Sequence, residues 1–252
     1  MNRGLVNLSE LRDNFDKADF KQGKSSYCFI DGDKVIKIYA KKYGENFVPK
    51  NVCDLSKFSA DTIVFPEEYI YEKGKIVGEI SKYIKSKPIN ESFNNKADIN
   101  KIINCYELVK NDLYLYENIN MADLCSVNIL YSNQNGFHII DTTEWTLKDD
   151  SLKHNIYYFN MSLIDTLIDY LEIPIVYSKF YNKLSDVFLN NVEKYGKAGN
   201  ELKECLFMLM SNRYNFLKFL IAYVNIYKAH YGNEPKTLED IDEFTKVRKF
   251  LE

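Results

Sequence analysis

The chain has 252 residues, 46% hydrophobic and 27% charged, a balance that fits a folded protein with a substantial core. Its 33 Lys and Arg against 36 Asp and Glu give a net charge of −3, and no dense basic run is present, which disfavours a nucleic-acid partner. The five cysteines, Cys28, Cys53, Cys105, Cys125 and Cys205, form no C-x-x-C pair, so zinc and a disulfide framework fit poorly and reduced thiols in a cytoplasmic protein are expected.

The opening stretch carries charge and lacks a long apolar core, so it does not read as a secretory signal. Two short β-type runs, Tyr27 to Ile30 and Lys34 to Tyr39, flank Asp31-Gly32-Asp33 and predict a hairpin. Pro49 to Ser59 has helical spacing at Val52, Leu55 and Phe58. A second hairpin is expected from Glu68 to Tyr71 and Lys75 to Tyr83, around Glu72-Lys73-Gly74. After Pro88 the texture changes. A helix is predicted over Ala97 to Leu115, then a strand pair at Asn128 to Tyr131 and Phe137 to Ile140 with Asn135-Gly136 at the turn. Helices follow over about 156–172, 176–195, 199–230 and 237–251. The apolar stretch from Leu206 to Tyr227 is interrupted by Arg213, Asn215 and Lys218, so it reads as a buried or amphipathic helix and no membrane span is expected. The expected class is α+β. A β-rich lobe with one helix covers 1–86, a mainly helical lobe covers 87–252, and a ligand cleft lies between them.

The segment richest in chemistry is Asp123-Leu124-Cys125-Ser126-Val127-Asn128, on a loop just before a hairpin that ends in Ile139-Ile140-Asp141. This order puts an Asp and an Asn on one loop and a second Asp opposite them. Magnesium takes oxygen ligands, commonly one or two carboxylates plus substrate phosphates, and Asn128 and Asp141 can supply them. Asp123 is then left to accept or orient a hydroxyl proton. Gly23-Lys24-Ser25 invites comparison with a P-loop, but that motif needs a glycine where Ala18 stands. His138, His154 and His230 have no metal-ligand spacing. Trp145 and the 20 tyrosines read as packing residues.

Here the chain resembles the protein-kinase superfamily, in its divergent bacterial serine/threonine-kinase-like form. Asp123 to Asn128 looks like the catalytic loop D-L-x-x-x-N, and Asp141-Thr142-Thr143 stands where D-F-G would. Val35-Ile36-Lys37 looks like V-A-I-K, and Gln22-Gly23-Lys24-Ser25-Ser26 precedes it where a glycine-rich loop belongs. Gly78 to Ile84 resembles the strand leading into the hinge that holds adenine. The resemblance covers roughly residues 15–145. It implies a bilobal kinase-like fold that binds ATP and Mg2+ and transfers phosphate to a hydroxyl on a protein or small molecule. Lys37 would hold the α and β phosphates, Gly23, Lys24, Ser25 and Ser26 would lie over them, and Lys82, Tyr83 and Ile84 would line the adenine site.

The chain departs from that pattern in several places. Met121-Ala122 replaces the His-Arg before the catalytic Asp, and no A-P-E sequence follows Asp141 before the next helix, expected near Asn155. The usual acidic partner of Lys37 is missing: its place falls near Lys50 or Asn51, with Glu45 and Asp54 as substitutes. Two other readings stand beside the first. One is a small-molecule kinase of the aminoglycoside or choline type, which an acidic cleft involving Asp165, Asp169 and Glu172 would favour. The other is a pseudokinase scaffold without turnover.

Overall fold

The computed structural model describes residues 6–7, 21–22, 26–39, 54–94, 96–171 and 186–245. Six strands, β1 (Val6–Asn7), β2 (Lys21–Gln22), β3 (Ser26–Asp31), β4 (Lys34–Tyr39), β5 (Pro66–Glu72) and β6 (Lys75–Lys82), form one sheet in the order β1-β5-β6-β4-β3-β2. Every neighbouring pair is antiparallel except β1 with β5. The two expected hairpins close where the turn chemistry allows. Gly32 sits at φ +61° between β3 and β4, and Lys73 and Gly74 both have positive φ between β5 and β6, as a two-residue type I′ turn requires.

Side-chain alternation gives this sheet two unlike faces. Phe29, Ile36, Ile70 and Ile80 pack as an apolar cluster. The opposite parity carries Cys28, Lys37 and Glu79, aligned across β3, β4 and β6 by the register Cys28–Lys37 and Lys37–Glu79. Gly78 lets the two central strands come close: a Cβ there would lie 2.3 Å from the Lys37 carbonyl oxygen. A side chain at this position would push β6 away from the strand that carries the lysine.

The chain then runs through β7 (Lys87–Pro88), α1 (Ile89–Ser92), α2 (Ile99–Leu115), β8 (Ile119–Asn120), β9 (Ile129–Ser132), β10 (Gly136–Ile139), β11 (Thr146–Leu147) and α3 (Leu152–Tyr170). It ends in α4 (Asp186–Glu193), α5 (Lys197–Met210), α6 (Phe216–Tyr231) and α7 (Leu238–Thr245). The described residues therefore form a mixed α+β structure with seven helices, a six-stranded sheet and two smaller sheets, β10-β9-β7 and β11-β8. None of the described helices is long and apolar enough to cross a membrane.

One large core joins the helices to the smaller sheets. Helix α2 buries Ile99, Ile102, Tyr106, Val109 and Leu113 on one face, and its first turn is capped by Asp98, which accepts from the Lys101 N–H at 2.9 Å. Asn160 of α3 is buried with both ends of its amide bonded: its carbonyl oxygen accepts from Tyr106 Oη at 3.0 Å and from the Phe216 N–H at 2.7 Å, and its amide nitrogen donates to the Ile156 carbonyl. It ties α2, α3 and α6 together. The segment before β5 joins the six-stranded sheet to this core, with Val64 N–H donating to the Ile139 carbonyl at 2.9 Å and Ile139 N–H to the Thr62 carbonyl at 2.8 Å.

Several helical expectations change. The helix expected over 49–59 is not seen at 54–59, which forms a turn; its earlier part lies outside the described residues. The single helix expected over 199–230 is two, broken at Ser211 to Asn215. Asn212 turns left-handed at φ +56°, and Asn215 caps α6 by accepting from the Lys218 N–H. Helix α3 starts at Leu152, three residues before the start expected near Asn155. Of the helix expected over 176–195, 186–193 is helical and the stretch up to 185 lies outside the described residues, as does the end of the last helix beyond 245.

Candidate active site

The loop between β8 and β9 carries Asp123, and its backbone is fixed from four directions. Asn155 of α3, wholly buried, accepts from the Met121 N–H at 3.1 Å and donates to the Ile119 carbonyl at 2.7 Å. The Trp145 indole N–H donates to the Ala122 carbonyl at 3.1 Å, and Ser162 Oγ to the Leu124 carbonyl at 3.0 Å. The Asp123 carbonyl accepts from the Cys125 N–H and from the Asn128 amide, both at 2.9 Å. These bonds satisfy backbone groups that a buried loop would otherwise leave unpaired. They hold the exposed Asp123 at φ +58°, a left-handed conformation that aspartate tolerates better than most residues. Replacing Asn155 with alanine strands two buried backbone groups, at a cost of about 1–3 kcal/mol for each. The expected result is a clear fall in melting temperature together with faster amide exchange at Met121.

Lys37 meets this region from the sheet. Its buried Nζ contacts both Asp141 Oδ1 and Thr143 Oγ1, on the segment that leaves β10, and lies 3.9 Å from Glu79 Oε1. Glu79 Oε2 accepts from Tyr39 Oη at 2.7 Å and from Thr142 Oγ1 at 3.3 Å. Thr143 Oγ1 also bonds Asp141 Oδ1 at 2.8 Å, and Asp141, like Asp123, has a left-handed backbone, at φ +67°. The two threonines standing where D-F-G would are thus the hydroxyls that tie this segment to the lysine and to its carboxylates.

The charges divide accordingly. Burial disfavours the charged form of Lys37, but Asp141 and Glu79 outweigh it, and the ammonium is held above its ordinary range. Burial would raise Asp141, but the ion pair and hydrogen bond from Lys37 and the bonds from Thr143 leave it below the usual carboxylate range. Glu79 is raised: burial is the largest influence, and the opposing pull of Lys37, Tyr39 and Thr142 does not cancel it.

Lys37 thus has two acidic neighbours, Asp141 in direct contact and Glu79 on the adjacent strand at 3.9 Å. Asp54 is exposed and accepts instead from the Ser56 N–H at 3.0 Å, so it is not one of them; Glu45 lies outside the described residues. Sequence reasoning passes over Glu79, although its place directly across the ladder from Lys37 follows once β4 is paired with β6. It also passes over the roles of Tyr39 and Asn155, and reads Thr142 and Thr143 only as replacements within the D-F-G position.

Asn128 and Asp141 are neighbours along the backbone ladder. The Asn128 carbonyl accepts from the Ile140 N–H at 2.9 Å, one residue before Asp141. Because the Asn128 amide nitrogen is committed to Asp123, at 2.9 Å to its carbonyl and 3.3 Å to its Oδ2, the amide oxygen is the atom left for a ligand. One amide oxygen and one ionised carboxylate suit a hard cation that completes its shell with phosphate and water. Among the described residues no three His, Cys, Asp or Glu side chains converge as a self-contained metal cage.

Of the other expected residues, Ser26 is buried at the start of β3 with its Oγ 3.7 Å from Cys28 Sγ, while Gly23, Lys24 and Ser25 lie outside the described residues. Lys82 ends β6, and Tyr83 commits its N–H to the Asp33 carbonyl at 2.7 Å. Lys82 and Ile84 line a small cavity of about 200 Å³ together with Phe65 and His138. A larger cavity, of about 450 Å³, opens beside the Asp123 loop and is lined by Cys125, Ser126, Met161, Asp165 and Asp169 among others. Glu172, expected with those two aspartates, lies outside the described residues. No protein-family model matches the chain, and no curated protein sequence matches it.

Proposed function

We propose that the protein is a kinase-like phosphotransferase of two lobes, 1–86 and 87–252, that moves the terminal phosphoryl group of ATP to a hydroxyl. The observation that carries this reading is the convergence on one spot of Lys37 from the sheet, Asp141 from the end of β10, and the Asn128–Asp123 pair from the fixed loop. Catalysis of this kind needs positioning and charge neutralisation more than covalent chemistry, and this arrangement would supply them with ATP and Mg2+ bound. Lys37 would turn its ammonium to the nucleotide phosphates. Asn128 and Asp141 would hold Mg2+, which when bound neutralises phosphate charge. Asp123 would take the proton of the acceptor hydroxyl as the bond from that oxygen to the γ-phosphorus forms, the bond to the bridging oxygen breaks, and ADP leaves.

A small-molecule acceptor is the second reading, favoured by Asp165 and Asp169 at the cavity beside Cys125 and Ser126. Negative charge there would suit an amine-bearing alcohol over a flat protein surface. The test is transfer of label from γ-labelled ATP with magnesium, run against a general protein acceptor and against amino-alcohols. Transfer to one class supports phosphotransfer and selects the acceptor. No transfer to either, by protein that still binds nucleotide, would leave a nucleotide-binding scaffold.

A further inference from the structure

We propose that Glu79 is the positioning residue of Lys37, the carboxylate that holds the lysine in place when Asp141 turns to a metal ion. The inference rests on the phosphotransfer reading above. Lys37 touches Asp141 directly and stands 3.9 Å from Glu79. Lys37 meets Asp141 through Oδ1, and a cation on that carboxylate draws off the negative charge that attracts the ammonium, so metal binding weakens the lysine's nearer contact. Thr143 stays as a neutral contact, and Glu79 is the second carboxylate at the ammonium, its two oxygens already divided for the task. Oε2 is held by the Tyr39 and Thr142 hydroxyls, which leaves Oε1 facing the ammonium. Its side chain is only 5% exposed, so water has little access to take its place.

The source of the carboxylate matters as much as its distance. Lys37 and Glu79 are register partners on hydrogen-bonded strands, so the ladder itself sets how far apart their backbones lie. A carboxylate borne by a separately packed element could be withdrawn by moving that element. Here the two backbones part only if β4 unzips from β6, at the point where Gly78 already brings the strands close. The pair is therefore assembled whenever the sheet is, and Lys37 needs no conformational signal to be in position.

The test compares ATP with adenosine, which has no phosphate for Lys37 to meet, by calorimetry in the presence of magnesium. Glu79→Gln keeps the size of the side chain and an acceptor for Tyr39 but removes the charge that faces Lys37. It should weaken ATP about tenfold or more, the value of a lost hydrogen bond to a charged group, while adenosine binds as to the unsubstituted protein. Glu79→Asp should fall between the two. If Glu79→Gln does not fold, Tyr39→Phe, which frees Oε2 but keeps the charge, should give a smaller loss confined to ATP. ATP and adenosine weakened alike would mean that Glu79 only supports the cleft, and the inference would fall. Unchanged ATP affinity in Glu79→Gln, beside a large loss in Lys37→Met, would also overturn it and leave the phosphotransfer reading standing. An unsubstituted protein that binds no ATP would overturn both.

Discussion

Asp123→Asn should fold and bind ATP like the unsubstituted protein yet transfer phosphate about 10²–10⁴-fold more slowly, the usual contribution of a positioned general base. Asparagine is the informative replacement because it tolerates the left-handed backbone that Asp123 adopts at φ +58°. The surrounding bonds also survive, since those that fix the loop come from its backbone: Trp145 to Ala122, Ser162 to Leu124, and Asn128 to the carbonyl of residue 123 itself. Single-turnover transfer from pre-bound ATP measures the effect directly. A variant as fast as the parent would remove Asp123 from the chemistry and make it a turn residue.

The second large effect is expected at Lys37. Lys37→Met leaves the buried Glu79 and the neighbouring Asp141 with no cation between them. Removing one partner of a buried ion pair costs about 3–5 kcal/mol. For a chain of this size that is a fall of roughly 6–20 °C in melting temperature. The loss should shrink in acid, because the stranded carboxylates can then take up protons and the repulsion disappears. Glu79→Gln should be much milder, since Lys37 keeps Asp141 and Thr143 as partners. Thermal melts at neutral and acid pH check both statements. Equal and small losses for the two variants would mean that the pair is more solvated than its burial indicates.

The contrast between Lys37 and its partner also shows what a sequence conveys. Turn chemistry is local, so Gly32 and the Lys73-Gly74 pair mark both hairpins by residue type alone. The order Lys37, Asp123, Asn128, Asp141 is legible too, because Lys37 lies within a strand of clear texture and the other three flank a hairpin of clear texture; the structure adds the contact of Lys37 with Asp141 and of Asn128 with Asp123. Glu79 is a different case. Its role depends on β6 lying beside β4, strands that are not consecutive in the chain, and no periodicity within either strand announces that pairing. Thr142 and Thr143 look like a loss against the kinase pattern until their hydroxyls are seen bonding Glu79 and Asp141. Asn155 sits among helical residues with nothing to distinguish it from a solvated asparagine, yet it holds both ends of the backbone before Asp123. The break between α5 and α6 is a different case again: Arg213 and Asn215 interrupt the apolar run in the sequence, and it takes the backbone of Asn212 and the cap from Asn215 to show that they stop and restart the helix there.

Lys37, Asn128 and Asp141 are proposed to form a nucleotide site that depends on a metal ion. Its most direct test is the melting temperature with ATP alone, with ATP and magnesium, and with neither, for the unsubstituted protein and for Asp141→Ala, each compared with its own ligand-free melt. At a hundredfold excess over Kd, binding to the folded state adds about 2.7 kcal/mol, a rise of roughly 5–11 °C for a chain of this length. That rise is expected with ATP and magnesium together in the unsubstituted protein, and its loss in Asp141→Ala. No rise at millimolar ATP and magnesium in well-folded protein, or an equal rise in the variant, would contradict it.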